Sequence, residues 1–336
     1  MNAPQRVYLD AFLTPLAAHL SREEVTDVYI NQPGELWLVT RAGTERHAVP
    51  TLDDAALWRL ARQIAAFSDQ GINREHPLLA ATLPDGARVQ ICAPPATRGT
   101  LIVAIRKHSM PDLRLGDYEA AGAFARVGEA ALSDAHTRRE LAQLLASGKR
   151  QDFLREAVRS RQTIVISGGT GTGKTTFLNA LLKEAAATER LVLIEDTPEI
   201  QLQQPNIAGL VAVRGKLGEA SVPPNELVEA ALRLRPDRII MGEIRGAEAI
   251  SWLRAVGTGH PGSISTIHAS SPSGAIEQLA LIVGQSASDL RRSETIAYIR
   301  STIDLIVQLS RADGQRHVTA IQFPLSPTDA FQSPDD

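Results

Sequence analysis

The chain has 336 residues, enough for two domains, and 43% of them are apolar, enough for ordinary globular cores. A net charge of −3 gives no overall basic field to draw it onto nucleic acid or acidic lipid, so no specific nucleic-acid binding is expected. A single cysteine, Cys92, excludes an internal disulfide framework and any cysteine-rich zinc site within one chain.

The opening MNAPQRVYLDAFLTPL has no basic segment followed by an apolar core and does not read as a secretory signal. No apolar run reaches the length of a membrane span, so a cytoplasmic location is expected and any membrane association would be peripheral. Residues 1–108 mix strand and helix signals. A short helix is predicted from Leu9 to Leu20. VTDVYIN and ELWLVT read as strands around the turn residues Gln32, Pro33 and Gly34. TLDDAALWRLARQIAAFSDQ reads as an amphipathic helix, capped by Thr51 or Asp53, with Ala56, Leu57, Leu60, Ile64 and Phe67 on its apolar face. LLAATLPDGARVQICAPP gives two strands around Pro84-Asp85-Gly86, and TLIVAIRKHS gives one more. These elements predict a small α+β domain with helices on one side of its strands.

Residues 109–150 begin with proline and turn residues, become alanine-rich and then helical; they read as a linker with lead-in helices. From 151 to 324 strands and helices alternate: TIVIS, GKTTFLNALL, RLVLIED, NELVEAALRLR, RIIMGE, AEAISWLRAVGT, GSISTIHA. That alternation predicts a mostly parallel sheet with helices on both faces. Two further helices and an antiparallel pair around Ala312-Asp313-Gly314 follow, and residues 325–336 read as a loose tail.

Gly168-Gly169-Thr170-Gly171-Thr172-Gly173-Lys174-Thr175 fits G-x-x-x-x-G-K-[ST], with an apolar strand entering and a helix leaving. Glycines let the backbone curl so that several N–H groups face one anion, and the helix N-terminus adds its partial positive charge. Lys174 would reach the β and γ phosphates of ATP; Thr175 would hold Mg²⁺, and Thr176 completes the phosphate site. A strand ending in acid, RIIMGE, stands where nucleotide-hydrolysing proteins usually place a metal-holding aspartate. Here that position is Gly242, followed by Glu243. In a parallel sheet ligands gather at the carboxyl ends of the strands, so Glu243 is expected to face the Mg²⁺ through water or to orient the attacking water. Gly242 is expected to admit a close backbone approach. Glu195, Asp196 and Glu199 end another strand and would share these tasks. His260 and His268 bracket a third strand, His268 being placed to sense the γ phosphate, with no further ligands at zinc spacing.

In this order, GGTGTGKTT, IEDTPE, LRLRPDRIIMGEIRGAEA and TGHPGSISTIHA resemble the Walker A loop, Asp box, Gly-Glu Walker B and His box of the secretion-superfamily traffic ATPases. Within them VTDVYINQPGELWL and GARVQICAPPATRGTLIVAIRKHS are most similar to the type IV secretion and conjugation ATPases. The resemblance implies a C-terminal P-loop, RecA-like α/β domain, and a smaller N-terminal α+β domain packed over the nucleotide. It implies Glu199 as the water-orienting acid, with Glu195, Asp196, His260 and His268 supporting or sensing. It also implies two phosphate-reaching arginines at the positions of Arg88 and Arg106, with Arg98 a third candidate. It further implies a homo-oligomeric ring of six, acting with inner-membrane components of a secretion channel. A four-cysteine zinc module found in many type II secretion relatives is absent, and a type IV pilus or type II secretion motor stays the neighbouring reading. A non-hydrolysing nucleotide switch is the alternative of another class.

Overall fold

The computed structural model describes residues 3–108, 113–214, 220–286, 290–323 and 325. Its N-terminal part orders α1 (Ala3–Leu20), β1 (Val25–Ile30), β2 (Glu35–Thr40), β3 (Gly43–Ala48), α2 (Asp54–Phe67), β4 (Leu78–Thr82), β5 (Arg88–Cys92) and β6 (Ile102–Arg106). The strands form one six-stranded sheet in the order β3-β2-β1-β6-β5-β4. All neighbouring pairs in it are antiparallel. Asp53 is the cap of α2, its carboxylate accepting from the Ala56 amide at 2.7 Å. Leu57, Leu60, Ala61, Ile64 and Ala65 then share the buried helical face expected of 3.6-residue periodicity.

One face of this sheet, with Val28, Ile30, Leu36, Leu38, Val103 and Ile105, forms a core with α1 and α2. The opposite face, with Tyr29, Trp37, Cys92, Ile102 and Ala104, joins the core of the second sheet. Covering both faces explains why nearly every residue of β1 and β2 is buried, not every second one. Burial pushes the Cys92 thiol up to about 12, which makes it a core residue and not a reactive one.

Three helices follow: α3 (Leu115–Ala120), α4 (Glu129–Ala146) and α5 (Arg150–Arg159). The break between the last two falls at Gly148, whose φ is +75°. The rest orders β7 (Ile164–Gly168), α6 (Lys174–Leu182), β8 (Leu191–Glu195), β9 (Ile207–Val211), α7 (Pro224–Arg233), β10 (Arg238–Met241), α8 (Glu248–Gly257), β11 (Ile264–Ile267), α9 (Pro272–Gln285), α10 (Arg292–Thr302), β12 (Leu305–Ala312) and β13 (Gln315–Gln322). Its seven-stranded sheet runs β13-β12-β7-β11-β10-β8-β9. Every pair is parallel except β12 with β13, the hairpin expected around Asp313 and Gly314. Buried residues on both faces of this sheet meet helices.

Several expectations need correction. The first helix begins at Ala3, not near Leu9. Strand β3 carries the polar run GTERHA on a sheet edge, where no apolar pattern is needed, and β9 carries IAGLV on the edge of the other sheet; neither is read as a strand from the sequence. Leu325, expected in the loose tail, is 4% exposed and packed in the core; the remainder of that tail, 326–336, lies outside the described residues, as do 109–112 of the expected linker.

The two sheets are joined by polar contacts as well as by the shared core. Arg190, fully buried, donates to Asn31 Oδ1 at 2.9 Å and stacks 3.9 Å over the Tyr29 ring. Asn31 donates in turn to Asn206 at 3.0 Å. Burial lowers the Arg190 guanidinium to about 10. Arg235 pairs with the buried Asp27, and the segment Ala96–Arg98 hydrogen-bonds along β9 through Arg98 N to Gly209 O and Val211 N to Ala96 O.

Candidate active site

A cavity of about 400 Å³ opens at the carboxyl ends of β7, β8, β10 and β11. Its floor is the loop between β7 and α6. Gly171 and Gly173 have φ of +74° and +88°, values that L side chains resist, and Gly173 delivers the chain into the first turn of α6. A Cβ on Gly168 would stand 2.6 Å from Thr172 Oγ1 and 2.9 Å from Leu309 O, so this position tolerates no side chain. Thr172 braces the loop by donating to Gly169 O at 2.9 Å.

Lys174 turns back over this loop, its Nζ donating to Gly168 O at 3.0 Å and Gly169 O at 3.1 Å. Burial holds its ammonium below the usual lysine range, opposed by nearby Glu243 and assisted by Arg245. Two of its three donors rest on backbone carbonyls at the cavity edge, bonds that phosphate oxygens can replace. Thr170, Gly171, Gly173, Thr175 and Thr176 line the same cavity.

Glu243 enters from the end of β10. Its Oε2 accepts from Arg245 Nε at 2.7 Å and its Oε1 lies 2.6 Å from His268 Nε2. His268 Nδ1 is in turn 3.4 Å from Lys174 Nζ, so three of the expected residues form one chain of contacts across the cavity. Glu248 builds the turn behind them by accepting from the Arg245 and Gly246 amides at 2.7 and 2.8 Å. Gly242 does not serve a close backbone approach: an added Cβ would meet its nearest neighbour, Glu195 Cγ, at an ordinary 3.5 Å. Its bare backbone instead forms part of the cavity wall, which a longer side chain would enter.

The three acids after β8 divide. Glu195, 3% exposed, accepts from the Glu199 and Ile200 amides, both at 2.8 Å, and from Arg98. Its carboxylate is saturated as a clamp on the following loop. Asp196 accepts from Arg214 at 2.9 Å. Glu199 stands exposed on the cavity wall.

The remaining expected residues separate as clearly. Arg98 reaches the site's edge through Glu195 and also donates to Ile200 O at 2.9 Å. Gly209 makes room for it, since a Cβ there would stand 2.5 Å from Arg98 Cδ. Arg88 and Arg106 face each other across β5 and β6, and Arg106 is also opposite Asp27, the partner of Arg235 just before β10. That places them at the far edge of the parallel sheet, away from the cavity of their own chain. His260 is likewise remote: it precedes β11, and its Nδ1 meets Pro236 O at 2.9 Å, at the amino ends of the strands. Sequence reasoning missed Arg245 and Arg316, both on the cavity wall. Arg245 is two residues from Glu243 and was within reach of motif reading; Arg316 arrives by tertiary folding from the exposed hairpin.

A phosphate-cradling loop, a buried lysine and a carboxylate–histidine pair at the carboxyl edge of a parallel sheet define a P-loop nucleoside-triphosphatase. The family described as type II/IV secretion system protein matches residues 13–326. The type IV secretion system protein VirB11 of Bartonella quintana is 36% identical over 325 residues, covering 93% of this chain and 91% of that protein. The type IV secretion system protein PtlH of Bordetella pertussis is 38% identical over 319 residues, covering 93% and 94%. The crystal structure of the VirB11 ATPase from the Brucella suis type IV secretion system superimposes with a TM-score of 0.89 at 34% identity, over 95% of each chain. The chain belongs to the type II/IV secretion ATPase family.

Proposed function

We propose that this protein is the Mg²⁺-dependent ATP-hydrolysing motor of a type IV secretion or conjugation system, working as a homo-oligomeric ring of six. The observation that carries the catalytic part is the convergence of Lys174, Glu243 and His268 on the loop of Gly168–Thr175. The assignment to type IV secretion is supported by relatives of that description matching nearly the whole chain.

In this reading the phosphates occupy the loop, and Lys174 leaves the Gly168 and Gly169 carbonyls to meet the β and γ oxygens. The Thr175 hydroxyl and the Glu243 carboxylate are the oxygen donors that suit Mg²⁺, which takes few protein ligands and keeps several waters. Magnesium bound there would neutralise charge developing between the β and γ oxygens. Glu199, exposed on the opposite wall, orients the attacking water, and Glu195 fixes Glu199 by holding its amide. His268 reads the γ position through its contacts with both Glu243 and Lys174. Arg88 and Arg106 act on phosphates only after the N-terminal sheet moves or from a neighbouring subunit of the ring. The division into 1–108, 109–150 and 151–324 supplies a segment on which that sheet can swing. Described residues include no helix long and apolar enough to cross a membrane. Attachment to inner-membrane components of the channel is therefore assigned to peripheral contacts.

The test is Lys174→Ala. Turnover should fall about 10²–10³-fold, the usual worth of one preorganised charge donor, with the melting temperature retained. In the native host the same variant, at normal protein level, should lose substrate transfer. Retained turnover in the folded variant refutes the ATPase mechanism; normal transfer with lost pilus-driven movement assigns the engine to a pilus machine.

A further inference from the structure

Arg245 touches two carboxylates that leave the parallel sheet side by side. Strands β8 and β10 are neighbours with Ile194 opposite Met241, so Asp196 and Glu243 stand at the same level beyond their ends. The turn that Glu248 fastens through the Arg245 and Gly246 amides directs the Arg245 side chain along this edge. Its Nε donates to Glu243 Oε2 at 2.7 Å and its Nη2 donates to the same oxygen, while its Nη1 reaches Asp196 Oδ2 at 3.5 Å. One seat is firmly taken; the other lies at the limit of a hydrogen bond.

The remaining partners of the two acids fix which group can move. Asp196 is held on its other oxygen, Oδ1, by Arg214 at 2.9 Å. Glu243 Oε1 is buried, 2.6 Å from His268 Nε2. Arg245 is 53% exposed, against 15% for Glu243 and 30% for Asp196, so it can turn without unpacking a core. With Arg245 in its first seat, both Glu243 oxygens are engaged, and a guanidinium stands where a cation would approach Oε2. Two cations on one carboxylate oxygen repel strongly away from bulk water. Glu243 is therefore open to a metal only after Arg245 lets go, and Asp196 is the acceptor already within reach.

We propose that Arg245 is a positioning residue, a latch with two seats. On Glu243 it withholds that carboxylate from a divalent cation while the cavity is empty; on Asp196 it frees the carboxylate when cation and triphosphate enter together. The inference rests on the Mg²⁺ reading of Glu243 above. A cation that brings phosphate oxygens has enough ligands to offset the lost Arg245–Glu243 contact, whereas the bare cation does not. Lys174, by contrast, rests on backbone carbonyls and withholds no carboxylate.

The experiment uses Mn²⁺ in place of Mg²⁺, its free concentration read by electron paramagnetic resonance. The full chain without nucleotide is titrated beside Arg245→Ala, Arg245→Gln, Arg214→Ala and the double variant Arg245→Ala with Glu243→Gln, circular dichroism checking each fold. Arg245→Ala and Arg245→Gln should bind Mn²⁺ about tenfold or more tightly than the wild type, the worth of hydrogen bonds between charged groups, and Glu243→Gln should abolish the gain. A merely structural role for Arg245 would weaken Mn²⁺ binding instead. Arg214→Ala removes the same charge from the same edge without touching Glu243 and should gain clearly less. Asp196→Asn, which removes the second seat, should raise the Mg²⁺ concentration needed for half-maximal turnover at saturating ATP; an unchanged requirement overturns the transfer to Asp196. Mn²⁺ binding that is not tightened in either Arg245 variant, a gain that survives Glu243→Gln, or an equal gain in Arg214→Ala overturns the latch and leaves the ATPase reading standing. Wild-type protein that binds ATP equally well with and without Mn²⁺, and turns over without a divalent cation, overturns the Mg²⁺ reading and the latch with it.

Discussion

The two edges of the seven-stranded sheet each carry an arginine–carboxylate pair, and the pairs do opposite things. At the amino edge Arg238 and Glu189 are 1% and 5% exposed. Arg238 donates to both Glu189 oxygens at 2.7 and 3.0 Å and to the Val158 and Gly262 carbonyls, while Arg161 adds a further donor to Glu189. Four of the five Arg238 N–H donors are used inside the protein, so the cluster holds α5, β10 and the turn before β11 together. At the carboxyl edge Arg245 and Glu243 are 53% and 15% exposed, and their partners face an open cavity. The same residue types form a structural bolt where water is excluded and a chemically available group where it is admitted. In a parallel sheet the strand ends separate these roles, because helix N-termini and loop amides converge on only one edge.

Breaking the amino-edge pair should have the largest effect on the fold. Glu189→Ala leaves Arg238 buried without its counter-ion and should destabilise the protein by about 3–5 kcal/mol, read by chemical denaturation. A loss below about 1 kcal/mol, the range of surface ion pairs, would show that water reaches this edge too.

Arg98 tests the boundary between the two kinds of site, since it is partly exposed yet holds the buried Glu195. Arg98→Ala should cost about 1.5–3 kcal/mol, the worth of hydrogen bonds to a charged group. It should also raise KM for ATP by loosening the loop that carries Glu199. Gly209→Ala, which displaces the Arg98 side chain without removing it, should move stability in the same direction. Unchanged stability in both variants would remove the clamp from the account.

The smallest effects separate the two histidines. His268→Ala should lower turnover roughly tenfold, as expected for one hydrogen bond to a charged group, with little change in melting temperature. His260→Ala should leave turnover within about twofold and cost at most about 1.5 kcal/mol, one neutral hydrogen bond to Pro236 O. Equal losses of turnover would mean that His260 reaches a site outside its own chain's cavity.

Much of this was legible in the sequence where local chemistry is self-sufficient. The loop of Gly168–Thr175 needs glycines at fixed spacing whatever surrounds it, and Gly171 and Gly173 do take the left-handed conformations that spacing demands. The cap at Asp53 and the hairpin at Asp313-Gly314 are local in the same sense. Strand β3 was not legible because an edge strand exposed to water needs no apolar alternation. Arg88 and Arg106 rest on the resemblance and His260 on its place before a strand, and neither ground fixes how far each stands from the cavity of its own chain.

The sequence by itself determined the phosphate loop, the strand–helix alternation and the acids at the strand ends, since each follows from backbone periodicity or from the needs of one anion. Only the tertiary structure decided which acid is free. Glu195 and Glu199 are four residues apart and chemically alike, yet burial and three donors fix the first, while the second faces the cavity. It also decided that Arg316 closes the site, because a side chain's neighbours across a sheet are set by strand order and register, and no local pattern encodes those.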